Sequence, residues 1–103
     1  MTAPTTDRGG INQTVHTLHD AGWMPLWVDY NDGDEPEQYP ADVTAHKVVE
    51  DVMAVDDAFL VVEKGEERGW VRFVMGNDPD EVVCDYTVKL EDALSAMFDR
   101  WNA

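Results

Sequence analysis

Positive charge is scarce in this chain. Seven Lys and Arg face twenty-two Asp and Glu, a formal net charge of -15 over 103 residues. That field repels nucleic acid and anionic membrane surfaces, so direct roles on either are excluded. Cysteine is scarcer still. Cys84 stands alone, which excludes an internal disulfide framework and fits a reducing compartment, so a cytoplasmic location is expected. Long apolar runs are absent too. The longest, residues 23–28 and 59–62, fall far short of the roughly 20 residues that a spanning helix needs. Residues 1–10 are polar with no apolar stretch, so no signal peptide is expected. No phosphate-binding loop, dinucleotide fingerprint or Gly-x-Ser-x-Gly elbow occurs. Neither a repeat nor a low-complexity linker divides the chain.

What is present is a foldable core. The apolar share is 44%, enough for one globular domain despite the charge. Residues 1–9 read as a flexible lead, and residues 10–103 as a single domain. Ile11, Val15 and Leu18 recur at helical spacing and predict a first helix over 10–21, stopped by Gly22. Residues 23–30 alternate. Met24, Leu26, Val28 and Tyr30 are expected on one face and Trp23, Pro25, Trp27 and Asp29 on the other. Pro25 marks an edge or irregular strand. That edge leaves monomer and homodimer both open.

Residues 31–40 form an acidic loop, and a second helix is expected over 41–55 on Ala45, Val48, Val49 and Val52. Strands follow over 58–63, 70–75 and 81–87 in a meander, with Val71, Phe73 and Met75 on one face and Val82, Cys84 and Tyr86 on another. The last helix, 89–101, has the cleanest pattern: Leu90, Ala93, Leu94, Met97 and Trp101 line one side. The order αβαβββα predicts an α+β fold, a mostly antiparallel sheet of three to four strands with helices packed on it.

The residue types that could carry chemistry do not assemble into a site. Asp29-x-Asn31-x-Gly33 matches the first two ligand positions of a calcium loop, but glycine replaces the third oxygen donor and Pro40 stands where a bidentate Glu belongs. His16 and His19 share a helical face, yet a third zinc ligand at suitable spacing is missing, with His46 on another helix. Cys84 reads as a small buried hydrophobe, and its acidic surroundings make a poor thiolate. No enzyme, metal or cofactor is expected; a calcium- or metal-binding module is the remote alternative. Trp23 and Trp27, side by side on one face, suit packing under a helix or an anchor for a partner.

The acids themselves are the candidate site. One cluster is Asp29, Asp32, Asp34, Glu35, Glu37 and Asp42, with no Lys or Arg between them. A second is Glu50, Asp51, Asp56 and Asp57. A third is Asp78, Asp80, Glu81 and Asp85, with Glu81 and Asp85 expected on one strand face. Duplex DNA carries one charge per about 1.7 Å of axis, and carboxylates in rows can meet the Lys and Arg that normally meet phosphate. A basic, nucleic-acid-binding protein or complex is therefore the expected partner, with the 29–42 segment counting most and Glu66 and Glu67, between Lys64 and Arg68, counting little.

The stretches Asp29-Tyr30-Asn31-Asp32-Gly33-Asp34-Glu35 and Gly76-Asn77-Asp78-Pro79-Asp80-Glu81, with the length and charge, give the chain a class resemblance. It resembles small acidic phage-borne inhibitors of host defence, the anti-CRISPR and anti-restriction proteins. The resemblance implies a non-enzymatic inhibitor that mimics DNA, with a CRISPR effector as one such partner. The competing expectation is a housekeeping or halophile-type domain whose acidity serves solubility.

Overall fold

The structure, a computed structural model, describes residues 3–30, 33 and 35–102. Among them the chain forms α1 (Asp7–Asp20), β1 (Met24–Asp29), α2 (Ala45–Met53), β2 (Asp57–Lys64), β3 (Glu67–Val74), β4 (Val83–Tyr86) and α3 (Glu91–Trp101). Short 3-10 turns at Pro79–Glu81 and Val88–Leu90 precede β4 and α3. The sheet is antiparallel throughout, in the order β1-β2-β3-β4. This is the α+β architecture that the patterning predicts.

The lead is shorter than its composition suggests. Thr6 caps α1, its Oγ1 accepting from the Gly9 N–H at 3.0 Å. An extended threonine whose hydroxyl satisfies a first-turn donor starts a helix even where apolar periodicity has not begun. Residues 7–9 are therefore helical. Gly22 ends the helix at φ +93, and the Trp23 N–H returns to the Leu18 carbonyl at 2.9 Å. Thr44 caps α2 by accepting from the Lys47 N–H at 3.2 Å, so α2 begins at Ala45 rather than 41.

All three helices bury their apolar stripes on one side of the sheet. Ile11, Val15 and Leu18 of α1, Val48, Val49 and Val52 of α2, and Leu94, Met97 and Trp101 of α3 meet Val28, Ala58, Leu60, Val62, Val71 and Phe73. Trp101 keeps its one polar atom satisfied by donating from Nε1 to Gln13 Oε1 at 2.8 Å. Phe98 links α3 to β4 by stacking on Tyr86, with centroids 5.6 Å apart.

Two bulges overturn the expected alternation. On β1, Pro25 pairs with Val62 and Trp27 with Val61, so Leu26 is the extra residue. The parity of side chains switches there. Trp23 is consequently in the core at 4% exposure while Trp27 faces the opposite side, and Met24 is exposed although Val28 is buried. The expected shared face of Trp23 and Trp27 does not form. On β4, Arg72 pairs with Asp85 and Phe73 with Val83, which leaves Cys84 as the extra residue. Val82 is buried but Cys84 is exposed, so the thiol is not the small core hydrophobe its spacing suggests. Glu81 lies in the 3-10 turn rather than on a strand face with Asp85.

The outer border of β1 is blunted. Pro25 has no N–H to offer. The neighbouring Leu26 carbonyl already accepts from the Tyr39 N–H at 2.7 Å, as the chain returns along that border.

One contact ties α1 to the acidic β3–β4 connection. A Cβ on Gly10 would lie 2.7 Å from Val82 Cγ1 and 3.1 Å from the Pro79 carbonyl. Alanine normally favours a helix interior over glycine by about 1 kcal/mol. Here Gly10→Ala is expected to destabilise instead, by about 1–3 kcal/mol, read as a lower urea midpoint at unchanged slope.

Candidate functional site

The antiparallel connections decide where the acids go. β1 ends, β2 begins, β3 ends and β4 begins at the same end of the sheet. Asp29 pairs with Phe59, Asp57 with Val74, and Phe73 with Val83. The Asp56 carbonyl accepts from the Met75 N–H at 2.9 Å, and the Val82 carbonyl from the Val74 N–H at 2.9 Å. Asp29, Asp56, Asp57 and the Asp78–Asp80–Glu81 turn, which come from three separate stretches of sequence, thus gather at one pole. The N-terminus of α1 joins them, the Asp7 carboxylate accepting from the Gly76 N–H at 3.2 Å.

Two cations stand at this pole among the described residues, and both are engaged. Arg72 holds Asp57 through two hydrogen bonds, 3.0 Å from Nε and 2.6 Å from the Nη2 end. Arg8 pairs with Glu50. These bonds hold the Asp57 and Glu50 carboxyls below their usual range, against a smaller opposing effect of burial. Asp56, Asp78, Asp80 and Glu81 are exposed, with no cation in ion-pair range among the described residues. They are the acids whose field points outward. Asp85 is also exposed, opposite Arg72 in the register, and turns one carboxylate oxygen to the Tyr86 N–H at 2.9 Å.

The Asp57–Arg72 pair carries a pH prediction. A depressed carboxyl pKa contributes stability above the unfolded value, and loses it as pH falls through the folded value. Both side chains are more than a third exposed, so screening limits the pair to about 0.5–1 kcal/mol. Asp57→Asn is expected to be less stable than wild type by that amount at pH 7. The difference should vanish as pH falls through the depressed pKa of Asp57, below the usual carboxylate range, in urea titrations of the two proteins.

The first cluster is split. Asp32 and Asp34 lie outside the described residues. Glu35 is exposed. Glu37 and Asp42 leave the pole and line a groove of about 380 Å³ along β1 with Val28, Tyr30, Tyr39, Lys47 and Asp51. Asp51 is engaged there through both oxygens, accepting from the Tyr39 hydroxyl at 2.7 Å and from Lys47 Nζ at 2.8 Å. Burial first, and then that hydrogen bond, push the Tyr39 phenol well above its ordinary pKa. It stays neutral at physiological pH and supplies no base. Of the second cluster, Glu50, Asp51 and Asp57 serve internal pairs, and Asp56 alone is turned to solvent without one.

Other chemistry-bearing groups stay apart. His16 and His46 border one shallow groove between α1 and α2, and His46 lies 3.9 Å from Glu50. Among the described residues no three His, Cys, Asp or Glu come together as metal ligands. The calcium-like set includes Asn31, outside the described residues. No helix among the described residues is long and apolar enough to cross a membrane.

The sheet face away from the helices was not foreseen. Phe59 and Val61 of β2, Trp27 of β1 and Trp70 of β3 lie there, partly exposed and, among the described residues, uncovered by any helix. Phe59 and Trp70 meet edge to face at 5.4 Å, and Arg72 lies 5.5 Å from the Phe59 ring. The signal in the sequence was the odd-numbered Phe59 and Val61 interleaved with the buried Ala58, Leu60 and Val62.

Comparison with protein-family models, curated proteins and solved structures finds no match for this chain.

Proposed function

We propose that the chain is a non-enzymatic inhibitory binding protein. It sets its acidic pole on the basic, nucleic-acid-binding surface of a partner protein and blocks it, in the manner of an anti-CRISPR-type DNA mimic. The carrying observation is the convergence at one end of the sheet of Asp56, Asp78, Asp80 and Glu81, with no cation in ion-pair range among the described residues, while the nearby Arg8 and Arg72 are already paired. A concentrated outward field of one sign steers encounter with an oppositely charged groove and rejects like-charged ligands. The test is capture of partners on the immobilised protein, with and without competing duplex DNA. Captured nucleic-acid-binding proteins that DNA displaces, and whose DNA binding this chain inhibits, support the proposal; capture indifferent to DNA removes it.

Binding is expected to weaken steeply with salt. Charges at this surface are screened over about 8 Å at physiological ionic strength. A titration calorimetry series at rising salt, with the captured partner, should show affinity falling throughout. An affinity that stays flat to several hundred millimolar would contradict the electrostatic mechanism.

A second reading has its own observation. Asp20, Glu66, Glu67, Glu91, Asp92 and Asp99 are exposed away from the pole, as expected of a domain whose acidity serves solubility or life in salt. A halophile-type domain would need molar salt to fold, whereas a mimic is folded in dilute buffer; circular dichroism across a salt series separates these two.

A further inference from the structure

We infer that the open face of the sheet, from Asp29 towards the β2–β3 turn, is a docking groove for an acidic peptide segment of a partner protein that carries an apolar or aromatic side chain. The groove, about 670 Å³, has Trp27, Val61 and Trp70 as its floor, with Arg68, Val88 and Lys89 along its sides. Asp29 borders its far side. Val88 is 82% exposed, an apolar side chain held out beside the groove by the 3-10 turn before α3. The helices occupy the other side of the sheet, and no described element covers this one.

Charge identifies the occupant. In a chain of net charge -15, most cations would be expected to sit against carboxylates, and Arg8, Lys47 and Arg72 do. Arg68, Lys89 and Lys64 do not, and of these Arg68 and Lys89 line the groove. Among the described residues neither has a carboxylate in ion-pair range, although Glu63 pairs with Arg68 in the strand register. Arg68 instead lies over the Trp27 ring at 5.1 Å, which keeps the guanidinium at the groove wall. Two uncompensated cations flanking two indoles fit a carboxylate on either side of an inserted apolar side chain. The groove is held rigid from behind. Thr87 Oγ1 accepts from the Trp70 N–H at 3.1 Å, and Thr87 N–H donates to the Trp70 carbonyl at 3.1 Å. A short peptide can confine its carboxylates to the neighbourhood of Arg68 and Lys89, whereas a nucleic-acid strand would carry an unbroken row of phosphates past Asp29 and Glu63 into the wider negative field. A second copy would bring Arg68 and Lys89 of each copy to the same interface.

This inference does not rest on the proposed function, and its test reads residues other than Asp56, Asp78, Asp80 and Glu81. Nitrogen-15-labelled protein is titrated with a panel of octapeptides, each with a central Phe, Trp or Leu flanked by Asp and Glu. Parallel panels replace the acids with Asn and Gln, or with Lys. The acidic panel is expected to shift the indole N–H signals of Trp27 and Trp70 and leave those of the buried Trp23 and Trp101 in place. The joint variant Arg68→Gln, Lys89→Gln changes only exposed side chains and should weaken that binding about tenfold or more, with an unchanged spectrum for the core. Val88→Asp gives a second, independently folded disruption. Several outcomes overturn the inference: no acidic peptide shifts Trp27 and Trp70 at about a millimolar, the neutral panel binds equally well, an oligothymidylate shifts the same signals in place of the peptides, or sedimentation shows that two copies cover the face.

Discussion

Reversing Asp78, Asp80 and Glu81 to Lys in one variant is expected to reduce affinity for the captured basic partner about a hundredfold, at roughly 1 kcal/mol for each reversed charge. These three are exposed, sit in one short turn, and make no side-chain hydrogen bond among the described residues. Their loss therefore removes no internal contact, and stability should move by only about 0.5 kcal/mol per site. The fair comparison reverses Asp20, Glu66 and Glu67. This second triple alters bulk charge equally, but Asp20 ends α1 away from the pole and the two glutamates lie at the β2–β3 turn, where the strands Lys64 and Arg68 belong to reverse direction. It is expected to keep most of the affinity. Interferometry with both triples and wild type decides the matter. Equal losses would mean that net charge alone drives association, and no loss from either would leave acidity as a device for solubility.

The largest effect on stability is expected from Phe73→Ala. Phe73 is fully buried under the three helices, among the largest side chains in the core. Its removal costs the transfer free energy of the ring and leaves a cavity, together about 3–5 kcal/mol. A domain of this size has only about 5–15 kcal/mol in hand. The variant should therefore unfold at much lower urea, or be partly unfolded at 37 °C. Trp70→Ala is the contrast. It deletes a larger side chain from the next position but one before Arg72 on the same strand, yet on the uncovered face, and is expected to cost about 1–2 kcal/mol. Fluorescence of Trp23 and Trp101, both in the core, follows each transition. Similar losses from the two would mean that the sheet is covered on both sides.

The elements legible in the sequence were those whose pattern is periodic and uninterrupted. Leu90, Leu94, Met97 and Trp101 announce α3, and the alternation through Leu60, Val62, Val71 and Phe73 announces the central hairpin, closed by Gly65 at φ +61. Parity failed at Leu26 and Cys84 because a bulge is a property of the pair of strands and leaves no mark on the bulged residue itself. Thr6 was passed over because a cap acts before the apolar stripe begins. The acids could be counted from sequence, but their availability could not. Glu50 is neutralised by Arg8, 42 residues away, and Asp57 by Arg72, 15 away. Asp56 and Asp78 become neighbours in space only because the strands reverse direction between them. Arg68 and Lys89 come to one groove through the same reversals.

The blunted border of β1 has a consequence for assembly. A sheet grows by lending an unused row of amides and carbonyls to another strand. Here Pro25, the Leu26 bulge and the returning Tyr39 spoil one border, and the short β4, with Cys84 bulged from it, is the other. Strand addition through a single usable border can join one copy to another about a two-fold axis, and then both borders are used up. The folded chain can close a pair in this way, but it cannot seed an open-ended ribbon.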